Sequence, residues 1–236
     1  MTEDPKNRVE LPTAEPSKSW EMIRTLAGLS VISGILIVGA FQITLSAIQQ
    51  NKARMLGKAV LKVIPHAVRF EGYQIHSDGS VSSLADADQK GERFYVGYDS
   101  SDQEVGVAIE AQGQGFQDVI RFIYGYSPEE ERIIGFQILE SKETPGLGSR
   151  IEEDPDFLSN FQGLDVRLSK DRQRLEHSIE IVKKGDKKYP WQIDTITGAT
   201  ISSKAVGKII RRSTEQNIPG IFRNLEKIKK GDSDAR

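Results

Sequence analysis

Two short strings hold the residue types and spacing that chemistry would need. The first is "DTITGATISS", Asp194 to Ser203, where hydroxyl side chains crowd around Gly198. It runs directly into the helix-like pattern "KAVGKIIRR". Thr197 or Thr200 can cap a helix that begins near Ser202. The free N–H groups of such a helix start favour an anion, phosphate in particular. Gly198 and Ala199 remove bulk beside Thr200, so a hydroxyl there could touch a phosphate or be esterified to one. The second string is "ETPGLGSR", Glu143 to Arg150, after the apolar run "IIGFQILE". Pro145 fixes one backbone angle, while Gly146 and Gly148 permit unusual ones, so bare backbone can approach a flat ligand. Taken singly, the strings also read as a helix cap and as a turn after a strand.

Other chemistries find little support. The chain has no cysteine, which excludes thiol catalysis, cysteine-held clusters and disulfides. His66, His76 and His177 are scattered without metal-ligand spacing, so no metal site is expected. The glycine loop and lysine of a nucleoside-triphosphate site are missing, and no Ser-His-Asp set can be argued. No catalytic residue is therefore assigned. The formal net charge of −2 over 236 residues gives no basic field for nucleic acid.

The elements that must position these strings follow from periodicity. Residues 1–24 form a tail, rich in Pro, Glu and Lys over its first twenty positions. No ionisable side chain occurs from Thr25 to Asn51, and Leu26 to Ile48 is long enough to cross a bilayer, which predicts a transmembrane helix over 25–48. Gly28, Gly34 and Gly39 would permit close helix contacts there. The apolar tract is longer than a cleaved signal usually has, and "LSA" before Ile48 is a poor cleavage site, so a retained anchor is expected. Met55, Leu56, Ala59, Val60 and Val63 mark an amphipathic exit helix over 49–65, ended by Pro65. Lys18 and Arg24 precede the span; Lys52, Arg54, Lys58 and Lys62 follow it. That count leans weakly towards a cytoplasmic C-terminal domain, although long domains are exported regardless of it.

Beyond Pro65 come short β-like runs: "RFEGYQI", "RFYVGYD", "VGVAIEA", "DVIRFIYGYS", "IIGFQILE" and "SIEIVKK". The turn-prone segments "SDGS", "DSSD" and "QGQG" separate them. Two of the runs flank "SPEEE" as a hairpin, and "EDPDFLSNFQG" reads as a small helix or loop. Helices are expected from about Ser202 to Arg212 and from Ile221 to Lys230. This predicts an α+β domain over 66–230, an antiparallel sheet with flanking helices, and a solvated tail over 231–236.

Read together, "ETPGLG" and, about fifty residues later, "D-x-x-T-G-A-T" resemble the FMN-binding domain of the RnfG and NqrC families, subunits of ion-pumping electron-transfer complexes. The resemblance extends over the membrane helix, the exit helix from Arg54 to Pro65, the "GQGF" loop and "TGATISSKAV". A histidine often stands two residues before the family's glutamate; Ser141 is there instead. The short insert between helix and domain is closer to RnfG than to NqrC. The resemblance implies FMN bound covalently through its phosphate to Thr200. It further implies cofactor contacts at Glu143, Thr144, Gly146, Leu147, Thr197, Gly198, Ala199, Ser202 and Ser203, with the flavin ring by the "ETPGLG" loop. A separate flavin transferase, using FAD and Mg²⁺, would attach the FMN, and Asp194 lies in the motif it reads; on residues alone Asp194 is a turn residue. The implied role is an electron-carrying subunit of a ferredoxin/NAD oxidoreductase complex, turning over no substrate of its own. Its partners would be the other membrane subunits and the lipid bilayer. The place would be the bacterial inner membrane, with residues 1–24 as a cytoplasmic tail and the domain on the periplasmic side, against the charge count. An NqrC-like subunit of a sodium-pumping NADH:quinone oxidoreductase, or a stand-alone anchored flavoprotein, is the alternative.

Overall fold

The computed structural model describes residues 19–75, 81–84 and 92–233. His76, the expected turn "SDGS", most of the N-terminal tail and the last three residues lie outside the described residues. The chain divides into two units at Lys52.

In the first unit, helix α1 (Ser19–Val63) begins. Its large apolar side chains from Leu26 to Ile43 are exposed. A helix apolar on all sides has its natural surroundings in lipid rather than water, and α1 is long and apolar enough to cross a membrane. Two helical pieces were expected here, over 25–48 and 49–65. The structure joins them, since neither a proline nor a β-like run interrupts the pattern before Pro65.

In the second unit, the last turns of α1 and seven strands build the frame. The strands are β1 (Arg69–Ile75), β2 (Val81–Ser83), β3 (Glu92–Tyr98), β4 (Glu104–Gln114), β5 (Val119–Ser127), β6 (Arg132–Glu140) and β7 (Leu164–Asp165). Their spatial order is β2-β1-β3-β4-β5-β6-β7, and every pair is antiparallel. Alternation of side chains along a strand divides the core in two. Tyr95, Ala108 and Ile123 meet Ala59, Val60, Val63 and Ile64 at the end of α1. Phe94, Val96, Val107, Ile109, Phe122, Tyr124 and Tyr126 point the other way, into the larger core. The helix end lies close to the sheet because Gly125 and Gly135 face it; a Cβ at either would come within 2.5 Å of the Val63 carbonyl oxygen.

The larger core is covered by α3 (Thr200–Ser233), through Val206, Ile209, Ile210, Ile218, Ile221 and Leu225. Two helical pieces were predicted where this one helix runs through Pro219. An internal proline costs about 3 kcal/mol. Burial of Ile218 and Ile221 on either side of it, on the face shared with Ile210 and Leu225, offsets that cost. "QGQG" is also corrected. Gln112 to Gln114 pair with Val119 to Arg121 as the end of β4, and the reversal comes one residue later, where the Gly115 N–H donates to the Asp118 carbonyl at 2.9 Å. Gly113 stays in the strand because Ile209 rests against it.

Short elements complete the frame. A 3-10 turn (Gly148–Glu152) leads to α2 (Pro155–Ser159), capped by the Asp154 carboxylate with Pro155 in its first turn. The strands β8 (Glu180–Val182) and β9 (Gln192–Asp194) pair in parallel, and β9 delivers the chain to the start of α3.

Candidate functional site

The segment from Asp194 to Thr200 is a tight turn into α3. The Ala199 N–H donates to the Ile196 carbonyl at 3.1 Å, and Gly198 has φ +86°, a conformation that favours glycine. Neither Thr197 nor Thr200 caps the helix through its side chain, which corrects the sequence expectation. Ser203, inside the first turns of the helix, instead ties the helix to the turn that precedes it. Its hydroxyl accepts the Ile196 N–H at 3.2 Å and donates to the Ala199 carbonyl at 2.8 Å. Thr200 is the first helical residue, half-buried, and its hydroxyl donates to the Ile196 carbonyl at 3.1 Å. The first backbone i→i−4 bond of α3 runs from the Ser203 N–H to Ala199 at 3.0 Å. The N–H groups of Thr200, Ile201 and Ser202 therefore precede the ladder, at the positive end of a long helix dipole.

The "ETPGLG" string folds as a compact turn. The Thr144 carbonyl accepts the N–H groups of Leu147 and Ser149, and the Gly146 N–H donates to the Ser149 hydroxyl at 3.0 Å. Gly146 has φ +74°, and a Cβ there would meet nothing within 4 Å. Leu147 is exposed.

One carboxylate ties these loops together. Glu143, 5% exposed, accepts the N–H groups of Phe116 and Gln117 at 2.8 and 3.0 Å and the hydroxyl of Ser202. A buried carboxylate is stable only with such donors. Three glycine-bearing loops, around Gly115, Gly148 and Gly198, are thereby joined. The approach needs the glycines: a Cβ at Gly115 would lie 2.4 Å from one Glu143 oxygen, and a Cβ at Gly148 would lie 2.6 Å from the other. Thr144 adds a bond from its hydroxyl to the Gln117 amide oxygen at 3.1 Å.

A second tie is Arg150. Its guanidinium donates to the Thr197 carbonyl at 2.8 Å and to the Asp154 carboxylate at 2.7 Å. Burial works to raise the pKa of Asp154, but the Phe157 N–H and Arg150 outweigh it and hold the group below the ordinary value.

The expected site residues thus separate into two layers. Glu143, Ala199, Ser202 and Ser203 are buried and bonded or packed within the protein. Thr197, Gly198, Gly146 and Leu147 are exposed, and Thr200 lies between the layers. Asp194 stands apart: its carboxylate accepts the N–H groups of Gly185 and Lys187, each at 3.2 Å, so it closes the preceding loop. Of the histidines, His66 occupies the turn after α1, and His177 stacks on Trp191 with ring centroids 3.9 Å apart. Three residues within or beside the motif strings went unassigned from sequence: Arg150, Phe116 and Ile201. Phe116 and Ile201 have exposed apolar side chains, both 61% accessible; Phe116 donates its N–H to Glu143, and Ile201 directly precedes Ser202, which does so through its hydroxyl. An apolar residue directly beside each motif glycine or hydroxyl was the available signal.

Residues 115–215 match the model of the FMN-binding domain family. The chain is 30% identical over 189 residues to the G component of the ion-translocating oxidoreductase complex from Methanosarcina acetivorans, covering 79% of this chain and 87% of that one. It is 25% identical over 185 residues to the G component of the proton-translocating ferredoxin:NAD(+) oxidoreductase complex of Clostridium ljungdahlii, covering 78% and 84%. The fold is similar to that of NqrC from Shewanella oneidensis, with a TM-score of 0.61 and 20% identity over 75% of this chain and 99% of that one. With this identity and coverage, the chain belongs to the RnfG family, the FMN-binding G components of ion-translocating oxidoreductase complexes.

Proposed function

We propose that this subunit carries FMN as a phosphoester of Thr200 and passes electrons between neighbouring subunits of an Rnf-type ferredoxin/NAD oxidoreductase complex. The observation that carries the reading is the position of Thr200: a half-buried hydroxyl on the first residue of α3, beside N–H groups that precede the helix ladder. Those groups suit a phosphate. The open backbone at Gly146 and the exposed side chains of Leu147, Phe116 and Ile201 suit a flat ring. FMN supplies the capacity to take and release electrons. The protein's own residues anchor it, shield one side from water and hold the loops rigid through Glu143.

Attachment would form a bond between Thr200 Oγ1 and phosphorus and break the diphosphate of FAD. AMP leaves, and the hydroxyl proton passes to solvent. This step belongs to a flavin transferase with Mg²⁺. Asp194 and the loop it closes are the surface that enzyme would read beside Thr200. The likeness to RnfG supports a reading with α1 across the inner membrane and the domain on the periplasmic side, where a covalent tether retains the flavin. Protease added to intact spheroplasts is expected to digest the domain; full protection until lysis contradicts that side. Peptide mass mapping of the protein from its native host tests the attachment. One FMN on the peptide holding Thr200 is expected, and fragmentation that assigns it to Thr197, Ser202 or Ser203 overturns the reading.

A further inference from the structure

Arg150 is held in a fixed place by two elements, one neutral and one that shares its charge through an ion pair with Asp154. One N–H goes to the Thr197 carbonyl and another to Asp154. Asp154 is itself fixed, since its other oxygen accepts the Phe157 N–H at 3.1 Å and caps α2. A guanidinium has five N–H donors, so about three remain after these two bonds. The side chain is 42% exposed. Its Nη1 lies 3.7 Å from where a Cβ of Gly198 would be, so the cation rests against the bare backbone of the turn that leads to Thr200. Lys142, directly before the "ETPGLG" loop, is engaged by Asp118 at 2.8 Å.

A phosphodiester on Thr200 would keep one negative charge. Helix N–H groups supply donors but only about half a unit of countercharge. A planar, already oriented guanidinium loses little freedom when it binds phosphate, and its free donors suit two phosphate oxygens. We propose that Arg150 is the cofactor-binding cation of this site, donating to the FMN phosphate while its other N–H groups latch the Thr197 turn to the Gly148–Glu152 segment. This rests on the Thr200 reading. It adds a specificity element: the site recognises the flavin's phosphate by charge as well as by helix N–H groups.

The test uses the full-length, detergent-solubilised chain and the variants Arg150→Lys and Arg150→Gln. Phosphorus-31 NMR of covalently loaded protein reports the surroundings of the phosphodiester directly. The resonance is expected to move clearly in Arg150→Gln and to stay near wild type in Arg150→Lys. An unmoved resonance in loaded Arg150→Gln overturns the proposal. If Arg150→Gln does not load, the same change is placed in Thr200→Val, and FMN and riboflavin are titrated as separate probes. Loss of a charge-assisted contact predicts about ten- to hundred-fold weaker FMN binding with riboflavin unchanged. Equal weakening of both, or no measurable binding of either, identifies a loop latch alone and overturns the proposal. Peptide mapping of wild type in the same preparation separates the two claims. Flavin on another residue refutes the Thr200 reading, whereas flavin on Thr200 with an unmoved resonance refutes Arg150 only.

Discussion

The inner and outer layers of the motif loops differ in what their polar atoms do. Glu143 and Ser203 sit inside and spend their oxygens on the protein: three donors converge on Glu143, and Ser203 both accepts from Ile196 and donates to Ala199. Gly146 and Gly198 are on the outer side, with Thr200 at its border, where the chain exposes backbone and leaves helix N–H groups ahead of the ladder. One string therefore contains both a scaffold and, on the proposed reading, a binding surface. On that reading, membership in a binding motif does not imply contact with the ligand. Damage to the inner layer should unfold the cradle, and damage to the outer layer should alter the flavin while the fold persists.

The largest expected effect is at Glu143. Glu143→Ala leaves two backbone N–H groups and the Ser202 hydroxyl without their acceptor. Each such loss costs about 1–3 kcal/mol. Urea unfolding of the flavin-free protein should show a loss of at least about 3 kcal/mol, together with failure to retain flavin. A variant of wild-type stability would show that Glu143 faces the ligand and not the scaffold.

A smaller effect is expected at Gly146. Gly146→Val places a β-branched residue at φ +74° in open space, at a strain cost of about 1–3 kcal/mol. The covalent flavin should persist, with a changed absorption spectrum and midpoint potential. Unchanged optical and redox behaviour would make this loop a turn only.

The distinction between layers was only partly legible in the sequence. Apolar β-like runs bounded by turn residues announced β1 and the hairpin of β5 and β6 with near-correct bounds; β5 is buried on both faces, so its signal was a nearly continuous apolar run. The strands β7 and β9 have two and three residues, too few for any period. Two helical pieces were expected on either side of residues 213–220, and the burial of Ile218 and Ile221 around Pro219 keeps α3 whole. At the site, the hydroxyl-rich string offered Thr197 or Thr200 as a side-chain cap, and neither makes one. The bonds of Ser203 to Ile196 and Ala199 depend on the turn at Ile196, which no spacing announces. The burial of Glu143 was likewise invisible, since it depends on the close approach of Gly115 from another loop and of Gly148 from the folding back of its own.

The smallest expected effect is at Asp154, which links the layers through Arg150. Its folded pKa lies below the ordinary value, with burial opposing the shift and the Phe157 N–H and Arg150 driving it. A lowered carboxylate pKa contributes stability above the unfolded value, about 3.9, and loses it as pH falls through the folded value. Asp154→Asn should therefore flatten the decline of stability below about pH 4 while lowering stability at neutral pH. An identical acid limb in both proteins would remove Asp154 from the account.

The measurement that bears most directly on the two layers is Thr200→Val, made in a host that supplies the transferase, with in-gel flavin fluorescence after denaturation and thermal unfolding on the same sample. Valine keeps the size and branching of threonine. The Ile196 carbonyl keeps its bond from the Ala199 N–H, so the fold should lose no more than about 1 kcal/mol. The account predicts no covalent flavin in a protein that melts close to wild type. Covalent flavin in Thr200→Val, or unchanged flavin with a large fall in stability, would contradict it.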